Sequence, residues 1–265
     1  MTDYTITAYP LAELPVPGWL CFFAGNDTNF QNLVFYVWLI SDGNKTILVD
    51  AGPPPDDQDF QRLIIGCQGT EERSVIRRVS SLEAVYLKAG IKPSKIDYLL
   101  ITQPITYLSG GLLPQYFPNA KVYISRAGMM ELLLDNPGHP PRDLYFTPTS
   151  WSFLLQLLVE QRLFLMDGPV EVLPGITFET TGGHHPGSAA VSAKTRNGII
   201  TILETAFLKE NIDEEIPIGV AENVSICRQA IRRYKENSDL VIAGHDNTLP
   251  QRFPDGKIKL NSFTK

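Results

Sequence analysis

The sequence predicts an α/β protein of layered sheets and helices. Apolar, β-branched runs of strand length alternate with segments of helical periodicity. Several of those runs are joined by strong hairpin turns. The two halves also echo each other. Asp42-Gly43 to Asp50 and Asn197-Gly198 to Glu204 are each a turn, an apolar strand and an acid at the strand's exit. Loops of that kind converge on one edge of a sheet sandwich, a usual place for a site.

Leu33 to Ile40, the turn Ser41-Asp42-Gly43-Asn44 and Thr46 to Val49 read as a β-hairpin ending in Asp50-Ala51-Gly52. Pro53, Pro54 and Pro55 halt regular structure. A helix is then expected within Glu71 to Ala89, where Val75, Ile76, Val79, Leu82, Val85 and Tyr86 recur at helical spacing and Gly90 takes the C′ position. Ile96 to Thr102 and Ala120 to Ser125 read as buried strands. The Phe- and Leu-rich segment Trp151 to Met166 reads as a helix packed on the core. Val170 to Val172 and Ile176 to Thr180 form a hairpin across Pro174-Gly175, and Val191 to Lys194 and Ile199 to Leu203 another around Asn197-Gly198. Ile226 to Tyr234 is helical, and Leu240 to Ala243 is a last strand delivering Gly244-His245-Asp246.

Composition narrows the function. The 265 residues suit one domain with a sizeable core, and 43% hydrophobic and 20% charged residues are globular proportions. Lys and Arg total 23 against 29 acids, a net charge of −6, with no basic run, so nucleic acid is not expected as a partner. Cys21, Cys67 and Cys227 show no CxxC spacing, which argues against disulfides and a thiolate zinc site. With no basic segment leading into an apolar core near Met1 and no long apolar stretch, a soluble, cytoplasmic chain without membrane partners is expected. Only four histidines occur: His139, His184, His185 and His245.

The strings ILVDAG (Ile47 to Gly52), IDYLLIT (Ile96 to Thr102), FPNAKVYISRA (Phe117 to Ala127), GGHHPGS (Gly182 to Ser188), ETAFLKENIDEEIP (Glu204 to Pro217) and AGHD (Ala243 to Asp246) occur in that order. In this order they resemble the metallo-β-lactamase superfamily, and within it most of all the N-acyl-homoserine lactonases. The resemblance implies an αββα sandwich, two mixed β-sheets flanked by helices, as a single domain over 1–265 with a helical insertion at about 127–168. It also implies a site at the sheet edge that takes a small molecule, with a homodimer left open.

In that family the strand like IDYLLIT runs into HxHxDH, whose side chains bind two zinc ions. Here those positions are Gln103, Ile105, Tyr107 and Leu108. Ile and Leu have no donor atom, an amide oxygen is a poor zinc partner, and a phenol must lose a proton near pKa 10 first. By the resemblance, His184, Glu204 and His245 stand at retained ligand positions, Glu204 in place of an Asp. No metal and no cofactor is therefore expected.

Three readings stay open. In the first, Tyr107, His184, Glu204 and His245 run metal-independent acid/base chemistry (hydrolysis, elimination or isomerisation) on a small, partly apolar carbonyl compound. Gln103, Ile105 and Leu108 then form the substrate-binding floor. In the second, the chain is a pseudoenzyme whose floor, made apolar by Ile105, Tyr107 and Leu108, binds an apolar or aromatic ligand. In the third, His184, Glu204 and His245 hold one metal ion, the two-His, one-carboxylate set of mononuclear iron sites. Bland readings accompany other residues. Asp50 caps a loop, His185 fills a variable position of its motif, His139 is an exposed loop residue, and Asp246 either holds His245 or ends the strand. Trp19, Phe22, Phe23 and the Trp151 to Met166 helix wall the pocket, form a dimer contact or simply pack in the core.

Overall fold

A computed structural model describes residues 3–25, 29–69, 71–133 and 146–260. Its strands are β1 (Thr5–Pro17), β2 (Phe30–Ser41), β3 (Thr46–Val49), β4 (Arg77–Arg78), β5 (Tyr98–Ile101), β6 (Lys121–Ser125) and β7 (Leu163–Met166) in the first half. They continue as β8 (Val170–Leu173), β9 (Ile176–Thr180), β10 (Ala189–Thr195), β11 (Gly198–Leu203), β12 (Leu240–Ala243) and β13 (Lys257–Ile258). One eight-stranded sheet runs β13-β1-β2-β3-β5-β6-β7, with β4 paired to β1, and a five-stranded sheet runs β12-β11-β10-β9-β8.

Alternation along the strands sorts the core into layers. Trp38 and Ile40 of β2 and Ile47 and Val49 of β3 share one buried cluster with Phe178, Val191, Ile200 and Ile202 of the second sheet. Their neighbours Val37 and Leu48 belong to another, with Val85 and Tyr86 of the helix Leu82–Ala89 and Phe153 and Leu157 of the helix Pro148–Val159. The helix Val224–Asn237 covers the second sheet through Cys227, Ile231 and Tyr234. Sheets thus face each other with helices outside, which is the αββα sandwich expected. Burying each large apolar side chain in such layers contributes about 1.5–3 kcal/mol.

Two expected elements differ. The helix of Glu71 to Ala89 begins only at Leu82, where the Ser81 hydroxyl accepts from the Ala84 N–H at 3.3 Å. Before it, Arg77 and Arg78 pair with Glu13 and Ala12, and the Val79 N–H donates to the Leu11 carbonyl at 2.8 Å. An edge strand and a helix share that apolar spacing. Gly90 does end the helix, left-handed at φ 68°. The run Trp151 to Met166 is likewise a helix and a strand. The helix Pro148–Val159 stops before Gln161, left-handed at φ 57°, and Leu163–Met166 pairs parallel with β6.

Within the segment expected as a helical insertion lie the helices Arg126–Leu133 and Pro148–Val159. Residues 134–145, and with them His139, lie outside the described residues. No helix among the described residues is long and apolar enough to cross a membrane.

Candidate functional site

Strands β3, β5, β11 and β12 run into one edge of the sandwich, and their exits supply Asp50, Gln103, Glu204 and His245. In mixed sheets the carboxyl ends of parallel strands are where ligand sites collect. Asp50, at φ 62°, accepts from the Thr102 N–H at 2.8 Å and the Thr102 hydroxyl at 2.8 Å, tying the β3 exit to β5. Burial pushes its carboxyl up to about 7 against those bonds. Asp246 ends its strand: it accepts from the Thr248 N–H at 2.8 Å and from the Arg252 guanidinium at 2.7 Å, while His245 is held elsewhere.

A cavity of about 230 Å³ opens at this edge. Gln103, Ile105, Tyr107, Leu108, His184 and His245 all line it, so six of the residues singled out from the sequence meet in one place. Glu204 does not line it. Its carboxyl lies behind His184, with Oε1 3.8 Å from Nε2, only 2% exposed and with neither oxygen hydrogen-bonded. Burial, reinforced by Asp50, pushes Glu204 up to about 8.

Both imidazoles are neutral. His245 Nδ1 is 3.3 Å from the Val34 carbonyl and His184 Nδ1 is 3.4 Å from the Val220 carbonyl. A carbonyl only accepts, so each Nδ1 carries the proton and each Nε2 keeps its lone pair. Burial lowers His245 to about 4 and His184 well below the usual imidazole value, the latter helped by His185. Tyr107 is raised far above the usual phenol range by burial and Cys67. The Cys67 thiol lies 3.7 Å from its hydroxyl, within hydrogen-bond reach.

Aromatic rings fill the spaces between these groups. Phe35 stacks on Tyr107 at 5.0 Å and meets the His245 ring at 4.7 Å. Phe207 meets both imidazoles edge-on, 5.0 Å from His184 and 5.2 Å from His245. Neither Phe stands out in the sequence, where an aromatic residue in an apolar run reads as core. Among the described residues no three His, Cys, Asp or Glu side chains come together to hold a metal ion, so the mononuclear set of His184, Glu204 and His245 is not assembled.

His185, at the variable position of its motif, lines the same cavity. The helix Arg126–Leu133 approaches its loop backbone to backbone: a Cβ on Gly187 would lie 2.5 Å from the Gly128 Cα. Gly187→Ala is therefore expected to cost about 1–3 kcal/mol by forcing the helix off the loop. Urea unfolding measures this, and an unchanged midpoint would show that the loop yields.

No family model matches the chain. An N-acyl homoserine lactonase of Bacillus cereus is 23% identical over 227 residues, covering 82% of this chain and 83% of that protein. Among solved structures, an N-acyl homoserine lactone hydrolase with N-hexanoyl-L-homoserine at its catalytic metal centre matches with TM-score 0.75 at 19% identity, covering 97% of this chain and 100% of that one. A dizinc quorum-quenching lactonase matches with TM-score 0.67 at 14% identity, covering 100% and 93%. The fold is that of the metallo-β-lactamase-type hydrolases, an αββα sandwich with its cavity at the sheet edge. The chain's relatives by sequence are N-acyl homoserine lactonases.

Proposed function

We propose that this lactonase-like protein binds a small, uncharged, partly apolar carbonyl compound in the sheet-edge cavity, without the dinuclear zinc centre of its relatives. One observation carries the reading: the cavity walls are apolar and aromatic, and the polar groups described on them are amide, phenol, hydroxyl, thiol and imidazole. The donor set does not suit two zinc ions. Ile105 and Leu108 offer no ligand atom, Tyr107 is held as a phenol, and Glu204 is held protonated at neutral pH. Gln103 lines this cavity and its Nε2 is buried without a hydrogen-bond partner, a donor suited to a carbonyl oxygen, as is the Tyr107 hydroxyl.

The His184–Glu204 contact at 3.8 Å favours a second reading, metal-independent acid/base catalysis on such a compound. It is the weaker one, because an imidazole well below pKa 6.5 is a poor general base at neutral pH. Chelator-treated protein, checked for metal content, is titrated with N-phenyl-1-naphthylamine and then assayed on a panel of esters and lactones. Saturable binding that survives chelation and is not improved by Zn²⁺ is expected. Turnover that survives chelation and disappears in His184→Ala would establish the second reading, and binding or turnover that requires Zn²⁺ would overturn both.

A further inference from the structure

Besides Gln103, one other residue lining the sheet-edge cavity has a buried polar side-chain atom with no hydrogen-bond partner among the described residues. It is Ser74, 2% exposed, with its hydroxyl oxygen unmatched. A hydroxyl gives up its bonds to water on burial, so leaving it unmatched costs free energy that a ligand atom can offset. Ser74 lies between the helix Asp57–Gln68 and β4, in a stretch held by its own backbone. Its N–H donates to the Glu71 carbonyl at 2.8 Å, and the Val75 N–H donates to the Arg73 carbonyl at 3.0 Å. Arg73 does not line the cavity: its guanidinium donates to the Glu71 carboxylate at 2.9 Å and lies 4.1 Å over the Phe30 ring. Ile76 is buried in one apolar cluster with Leu14, Val16, Cys67, Ile105 and Leu108, all of which line the cavity. Side chains two apart in an extended run share a face, so the seating of Ile76 turns Ser74 toward the same wall.

We infer that Ser74 is a ligand-binding residue of this cavity, its hydroxyl donating to a second neutral oxygen of the ligand, apart from the carbonyl held by Gln103. The compound bound is then oxygenated at two places, the second a carbonyl, ether or hydroxyl. Gln103 follows β5, whereas Ser74 precedes β4, which pairs with β1, so β1, β2 and β3 lie between them in the sheet order. Two groups delivered from strands so far apart suit two ligand atoms. No Lys, Arg, Asp or Glu lines the cavity among the described residues, which favours an uncharged partner for the hydroxyl. A serine hydroxyl and a carboxamide also keep their hydrogen-bonding capacity at any pH near neutrality. This inference rests on the cavity being the ligand site and adds to it the chemistry of a second point on the ligand.

Two probes that differ by an ether oxygen in place of a methylene test it: 2-acetyl-6-methoxynaphthalene and 2-acetyl-6-ethylnaphthalene, titrated by fluorescence or calorimetry. The ratio of methoxy to ethyl affinity should fall about tenfold from wild type to Ser74→Ala, the scale of one buried hydroxyl left unmatched. Gln103→Met removes the donor to the acetyl oxygen that both probes share, so it should weaken both and keep their ratio. Urea unfolding without ligand gives a second readout. Ser74→Ala should be at least as stable as wild type, because no bond within the protein is lost. A ratio unmoved by Ser74→Ala, a ratio that falls as far in Gln103→Met, or a Ser74→Ala midpoint clearly below wild type overturns the inference and leaves the cavity assignment standing. If neither probe binds wild type, the cavity assignment itself falls.

Discussion

Glu204→Gln will remove a decline in stability with rising pH that wild type shows between about pH 5 and 8. The folded protein holds the Glu204 proton up to about 8, against an ordinary value of 4.5 for the unfolded chain, because burial without a hydrogen-bond partner penalises the carboxylate. Between those values the folded state binds more protons than the unfolded state. Glu204's contribution is therefore fully present below 4.5 and lost as pH rises through about 8. The loss runs at about 1.4 kcal/mol per pH unit, so wild type should lose on the order of 4 kcal/mol relative to Glu204→Gln from pH 5 to 8. Paired urea titrations at several pH values measure it, and a constant difference between the two proteins would mean that Glu204 is ionised in the fold. Asp50 is present in both, so its own loss of stability as pH rises toward about 7 cancels in the comparison. His245 acts in the opposite sense, its contribution present above 6.5 and lost as pH falls toward about 4.

That comparison also bears on the zinc question from the side of the protein. A carboxyl that holds its proton at neutral pH in this fold must lose it before joining a cation, which adds a cost to metal binding at Glu204.

Much of the fold was legible in the residues because its signals are local. The hairpin of β2 and β3 follows from two apolar runs about a Ser-Asp-Gly-Asn turn, and Gly90 marks a helix end at its own position. What escaped reading depends on distant partners. β1 contains Pro10, Pro15 and Pro17, residues that argue against a strand, yet it pairs with β2 along its length, with a register shift next to Pro10. The helix Asp57–Gln68, capped by Asp56, sits in a stretch that reads only as polar. The run through Leu163–Met166 looks like a continued buried helix, since apolar periodicity cannot separate a short buried strand from a helix.

The site divides in the same way. Tyr107, His184 and His245 were found because they stand at motif positions, and the cavity gathers them. Glu204 stands at one too, but its burial behind His184 is a matter of packing that no motif encodes. Phe35, Phe207 and Ser74 have no local mark at all. Their meaning arises only where β2, the loop after β11 and the stretch before β4 come together.

Phe207→Ala is expected to be the most destabilising change in the site. The ring is buried, packs edge-on against both His184 and His245 and belongs to the apolar cluster at the cavity end of the second sheet. Loss of a buried Phe costs about 3–5 kcal/mol, because the transfer energy of the ring is forfeited and the surrounding side chains close only part of the gap. Urea unfolding at neutral pH reads the loss directly. A small apolar molecule such as benzene should restore part of it by occupying the vacated space, while leaving wild type unmoved. A cost below about 1 kcal/mol would show that the neighbours collapse readily into that space.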